Sequence, residues 1–186
     1  MRRKNDPLGV RARILDAAFM QFQSQGYAAT SVHHIAREAQ VTGGALHHHF
    51  PTKKALGIAV IRDRVAPALE ETWLEPLRST GDAPEAVLQI FETIALELDG
   101  QGMVLGCAVN NLSLELAFAD PDYRAELALL FDRWNAAISQ AMADRPDCDA
   151  LAALLVAGFS GAMAMAKVEQ RGEPLRQCAG QLRKLL

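Results

Sequence analysis

Apolar positions along the chain recur at helical spacing, and no stretch alternates with period two over a useful length. In the first pattern Val10, Ile14, Ala18 and Phe22 stand four apart, with Leu15 and Phe19 beside them and Gly26 as the stop. Thr30 or Ser31 is placed to cap a short second helix striped by Val32, Ile35, Ala36 and Ala39. Gln40-Val41-Thr42 reads as a tight connection to a third helix from about Gly43 to His48. Phe50-Pro51-Thr52 closes that helix, and Thr52 is placed to cap a fourth containing Leu56, Val60 and Ile61. Pro67 lies inside the next apolar pattern and predicts a kink or a restart there.

Longer helical patterns follow at roughly 66–79, 83–99, 109–118, 122–144 and 148–170, with a last piece at 174–186. Cap and proline signals separate them at Asp82-Ala83-Pro84, Gly100-Gln101-Gly102, Asp120-Pro121 and Gly172-Glu173-Pro174. The predicted fold class is all-α. A three-helix head, residues 1–60, carries a helix-turn-helix motif at about 31–50, and a larger helical body spans 61–186.

Composition narrows the class. The 186 residues are half apolar and 22% charged, enough for a real core and against wholesale disorder. Cys107, Cys148 and Cys178 are scattered, which excludes a disulfide scaffold, a zinc ribbon and a CxxC redox site and suits a reducing cytosol. The N-terminus, Met1 to Gly9, is basic but is not followed by an apolar segment, so no secretory signal is expected. The weakly polar run Leu151 to Ala166 is short for a membrane span, and a soluble, cytoplasmic protein is expected.

Charge changes the picture once the chain is divided. Residues 1–60 hold eight Lys/Arg against three Asp/Glu, while 61–186 hold eleven against nineteen. All five histidines, His33, His34, His47, His48 and His49, lie in the basic part. A basic head on an acidic body points the head at an anionic partner, and nucleic acid fits best.

Two short helices joined by a tight turn present the second helix to a DNA groove. Thr42-Gly43-Gly44-Ala45 suits its start, because small residues let the backbone approach the duplex. Lys53 and Lys54 add charge beside the same DNA backbone. Residues Gly26 to Ala36 (Gly-Tyr-Ala-Ala-Thr-Ser-Val-His-His-Ile-Ala) and Val41 to Leu56 resemble the head of TetR-type transcriptional regulators. The resemblance covers about residues 10–58, and the segment Gly106 to Glu115 resembles one branch of such regulators.

The resemblance implies a homodimeric repressor that binds a pseudo-palindromic double-stranded operator and is released by a small apolar or amphipathic effector. Carried over by position, Thr30, Ser31, Thr42, His48 and Lys53 contact phosphates, and Gly43, Gly44 and Ala45 face the major groove. Three positions depart from the family pattern: His47 replaces the usual Tyr, Gly43 a longer polar residue and Gln40 the usual turn glycine. A left-handed Gln40 would cost about 1 kcal/mol.

Consecutive histidines on one short helix point about 100° apart, so no metal site is expected. Gly158-Phe159-Ser160-Gly161-Ala162 lacks the second glycine and the preceding strand of a nucleophile elbow, and no phosphate-binding glycine motif occurs. Neither an enzyme nor a cofactor is therefore expected. Leu154, Ala157, Gly158, Gly161, Met165, Leu175 and Leu182 are candidates for a subunit seam, against a reading as monomer core.

The candidate effector pocket draws on Phe91, Cys107, Asn111, Glu115, Phe118, Trp134 and Met163. Asn111 and Glu115 share a helix face and could orient a ligand, or Asn110 or Asn111 could simply cap the helix. The alternative to a small-molecule effector is control by a protein partner or by thiol modification of Cys107.

Overall fold

The computed structural model describes residues 7–100 and 102–186, so the basic segment 1–6 lies outside the described residues. Nine helices and no strand occur among the described residues. They are α1 (Pro7–Gln25), α2 (Val32–Glu38), α3 (Gly43–His49), α4 (residues 53–79), α5 (Ala83–Gly100), α6 (Ala108–Leu116), α7 (Pro121–Ala141), α8 (Cys148–Glu169) and α9 (Glu173–Leu182).

The expected boundaries hold within a few residues, and α4 departs most from expectation. Helix does not restart at Pro67. It continues through two π-turns, Ile61–Val65 and Glu70–Leu74, each ending two residues before a proline, Pro67 and Pro76. A proline cannot donate to the carbonyl four residues back, and its ring crowds that carbonyl. In the π-turns the bonds run five residues back instead, from the Ala66 amide to Ile61 and from the Glu75 amide to Glu70. The carbonyl that Pro67 would have needed, Asp63 O, accepts from the Arg64 guanidinium at 2.7 Å. Wider turns therefore absorb both prolines without breaking the helix.

The chain forms two compact units. Among the described residues the first comprises 7–67 and 111–127, reaching past residue 60 and taking in a second chain segment. Its core is Ile14, Leu15, Ala18 and Phe22 of α1 with Ile35, Leu46, Phe50, Leu56 and Val60, all buried. Each of the larger of these side chains contributes about 1.5–3 kcal/mol by leaving water. Gly26 is left-handed at φ 87° and ends α1 as expected, and Gln40 takes the left-handed conformation at φ 53°.

The second unit comprises residues 68–110 and 128–186. Trp73, Phe91, Trp134 and Phe159 meet edge to face at its centre, with ring centroids 5.0–6.0 Å apart. Helix α9 packs on α5 and α8. The αL residue Gln170 ends α8, and its amide accepts from Val104 N at 3.0 Å and donates to Val104 O at 3.1 Å, pinning the loop before α6. Helix α8, which contains the apolar run, is 22 residues long and apolar enough to cross a membrane by length and composition. Here its Leu151, Leu155, Phe159 and Ala166 are buried in the second unit.

Candidate nucleic-acid interface

Three hydroxyl side chains in succession build the head. Ser31 Oγ accepts from His34 N at 3.1 Å, Thr42 Oγ1 from Ala45 N at 3.1 Å, and Thr52 Oγ1 from Ala55 N at 3.0 Å. Each satisfies an amide at a helix start, a contribution of about 1 kcal/mol. Between α2 and α3 the left-handed Gln40 makes the turn, with Gln40 N donating to Arg37 O and Val41 N to Ala36 O.

The outer face of α3 is open. Thr42, Gly43, Gly44, His47 and His48 are exposed, Ala45 is half-buried, and a Cβ added at Gly43 or Gly44 would meet nothing within 4 Å. The inner face holds Leu46 and then Phe50, both in the core. His48 and His49 lie edge to face at 5.5 Å, and Arg11 stands over the Phe50 ring while pairing with Asp63 at 2.6 Å. Arg37 of α2, not singled out in the sequence, is exposed with only a 3.4 Å contact to Glu38, and its signal was a lone cation on the polar side of α2.

Three side chains expected at the DNA are engaged within the first unit instead. Thr30 is 1% exposed, and its hydroxyl donates inward to Gly26 O at 2.7 Å, because the corner between α1 and α2 has carbonyls to satisfy. Lys53 is turned inward too: its ammonium donates to Tyr27 O at 2.6 Å and Ala28 O at 3.3 Å and lies 4.3 Å from the Tyr27 ring centroid. Desolvation lowers its pKa, and the nearby Glu115 carboxylate opposes that shift. Lys54 is paired with Asp120 at 2.6 Å and Asp122 at 2.8 Å, and the bonds to these two carboxylates raise its pKa.

The polar effector candidates also have other work. Glu115 accepts from Tyr27 N at 2.7 Å and Ala28 N at 2.5 Å, and Asn111 donates to the buried Gln23 at 2.8 Å. The shared face of Asn111 and Glu115 thus grips the end of α1, where unpaired amides would otherwise be left. Tyr123 donates to the Tyr27 hydroxyl at 2.7 Å and lies 3.3 Å from Lys54 O. Phe118 is 99% exposed beyond the end of α6, in the first unit, and so walls no closed cavity there.

Cys107 precedes α6 with its sulfur toward the Val109 and Asn110 amides, and burial raises its thiol pKa. Cys107, rather than Asn110 or Asn111, thus stands at the start of α6. Phe91, Trp134 and Met163 are buried in the second unit, and Trp134 Nε1 finds no hydrogen-bond partner there. Grooves of about 410–630 Å³ line the second unit, one of about 630 Å³ between Thr72, Pro76, Gln89, Ile90 and Thr93.

Of the seam candidates, Leu154, Ala157, Gly161 and Met165 are exposed along one side of α8, with Gly158 half-buried and Val168 continuing the row. Leu175 and Leu182 are corrected: they are buried within the second unit, because α9 turns that face onto α5 and α8.

A capped two-helix head with an open second helix, attached to a helical unit around an aromatic core, defines a DNA-binding protein of the helix-turn-helix class. Residues 14–60 match the bacterial regulatory proteins of the tetR family, and residues 83–181 match the C-terminal domain of LmrA/YxaF-like transcriptional regulators. The chain belongs to the TetR family of transcriptional regulators.

Among its relatives is the transcriptional repressor DhaR of a Mycobacterium species, 29% identical over 178 residues that cover 90% of this chain and 87% of that one. Another is the transcriptional regulator AcuR of Cereibacter sphaeroides, 29% identical over 175 residues, with 87% and 78% covered. The crystal structure of a regulatory protein TetR from Rhodobacter sphaeroides superposes with a TM-score of 0.83 at 26% identity, covering 93% of this chain and 96% of that one. Reduced Escherichia coli NemR shares the fold, with a TM-score of 0.81 at 22% identity and coverage of 94% and 96%.

Proposed function

We propose that this regulator is a cytoplasmic homodimeric repressor that binds a pseudo-palindromic operator and leaves it when a small apolar or amphipathic molecule binds the body. The open, capped α3 carries the reading. Gly43, Gly44 and Ala45 approach base edges, while Ser31, Thr42, His47 and His48 lie along the sugar-phosphate backbone. The name of the relative DhaR as a repressor supports the direction of control.

A two-fold dimer matches two half-sites about one helical turn apart, and the exposed row Leu154, Ala157, Gly161 and Met165 supports α8 as its seam. For the effector, the unpartnered Trp134 Nε1 amid Phe91, Phe159 and Trp73 favours an apolar molecule bearing one acceptor atom. The half-buried Cys107, whose thiol pKa is raised by desolvation, favours this over thiol modification. Selection of duplexes from a random pool by the purified chain, read by sequencing and fluorescence anisotropy, tests the reading. An inverted repeat is expected, and failure to enrich any sequence refutes it.

A further inference from the structure

The corner between α1 and α2, residues 26–31, carries little apolar weight, since Ala28 and Ala29 are exposed and Tyr27 is half-buried. Three side chains settle its polar groups, two of them from other elements. Both oxygens of Glu115 take the amides of Tyr27 and Ala28, the Lys53 ammonium takes the carbonyls of the same two residues, and the Thr30 hydroxyl takes Gly26 O. The corner in turn sets where α2 begins, because Thr30 N bonds Tyr27 O and Ser31 caps α2 in the next step.

Among these groups Glu115 is the one that comes from a distant part of the sequence and carries a charge. It reaches the corner from the last turn of α6, 88 residues on from Tyr27, and its helix re-enters the first unit at Asn111. We infer that Glu115 is a positioning residue for operator binding, holding the α1–α2 corner, and with it α2 and α3, in the DNA-competent arrangement. This rests on the operator-binding reading above and adds the residue on which it depends.

A carboxylate suits the task because it accepts at both oxygens. A glutamine keeps the size but presents an NH₂ to one of the two amides, so one donor is left facing another donor. The corner then loosens without any phosphate contact being removed. The Glu115 carboxylate also favours the charged form of Lys53, whose ammonium binds the carbonyls of the same corner.

The test compares wild-type protein with Glu115→Gln and Glu115→Asp on a duplex that the wild type selects. Operator affinity is measured across salt, thermal unfolding is followed, and hydrogen exchange is compared between residues 26–31 and α5. For Glu115→Gln the expected result is affinity about tenfold weaker or more, within the range of measured couplings. Its salt slope should match the wild type, and its exchange should be faster at 26–31 with α5 unchanged. Glu115→Asp keeps both acceptors and should fall less, and it carries the test if the Gln variant fails to fold.

Wild-type affinity in Glu115→Gln overturns the inference. So does a slope lowered by about one ion, which would make Glu115 part of the phosphate contact network. Affinity loss with equal acceleration of exchange in α5 overturns it as well, since that marks global destabilisation. A wild-type chain that selects no duplex refutes the operator reading itself.

Discussion

The hydroxyl of Tyr123 donates to the hydroxyl of Tyr27 at 2.7 Å, joining α7 to the corner that leads into the DNA-binding helices. Burial raises the pKa of both phenols, and for Tyr123 the bond to Tyr27 adds to the rise. They are the two tyrosines of the sequence, so phenolate absorbance reports on this pair alone. An unfolded tyrosine ionises near pH 10, and a raised folded pKa means the pair stabilises the fold fully below that pH. Its contribution is lost as pH climbs above 10. We predict no phenolate step near pH 10 in the folded protein and a late one coinciding with alkaline unfolding. Two ordinary titrations near 10 with circular dichroism unchanged would refute the pairing.

Gly57 lies directly beneath the same Tyr123. A Cβ there would fall within 3.0 Å of the ring carbons Cε1 and Cζ. In an open helix Gly→Ala stabilises by about 1 kcal/mol. Here Tyr123 is 3% exposed and has little room to move, so Gly57→Ala is expected to lower the melting temperature, and a rise would show that the ring yields.

The aromatic centre of the second unit should behave as one packed object. Phe159 touches Trp73, Phe91 and Trp134 edge to face, and truncation of such a ring costs about 3–5 kcal/mol. Both tryptophans of the chain sit there, so their fluorescence follows the cluster directly. Phe159→Ala should shift the urea midpoint strongly downward by that signal, and a change below about 1 kcal/mol would mean that the rings do not depend on one another.

Lys53 and Gly161 separate placement from mere presence. With its ammonium committed to Tyr27 and Ala28 carbonyls, Lys53→Met should weaken operator binding while leaving the salt dependence near wild type. A slope smaller by about one ion would return Lys53 to the phosphates.

Gly161 faces open space, so Gly161→Arg should fold normally and yet sediment as a monomer if α8 forms the subunit seam. An intact dimer at the wild-type concentration would move the seam to another face.

Much of this molecule is local and therefore legible in the chain. Helical spacing of Ile14, Ala18 and Phe22, the hydroxyls of Ser31, Thr42 and Thr52, and Gly26 as a stop act within one or two turns of themselves. That range is short enough for spacing alone to determine an all-α chain with a helix-turn-helix head. The left-handed Gln40 was legible only through the resemblance, since it stands where the family's turn glycine is usual.

Only the tertiary structure decided what the polar groups do. Glu115, Lys53 and Thr30 are the same residue types whether they face a ligand, a phosphate or a backbone corner. Their targets are amides and carbonyls, which carry no side-chain signature and lie up to 88 residues away in sequence. Likewise Leu175 and Leu154 are both apolar helix residues, and only the packing of α9 on α5 and α8 buries one and leaves the other exposed. Periodicity tells which residues share a face. The surface against which a face is turned depends on contacts between elements distant in sequence, and the three-dimensional fold alone supplies them.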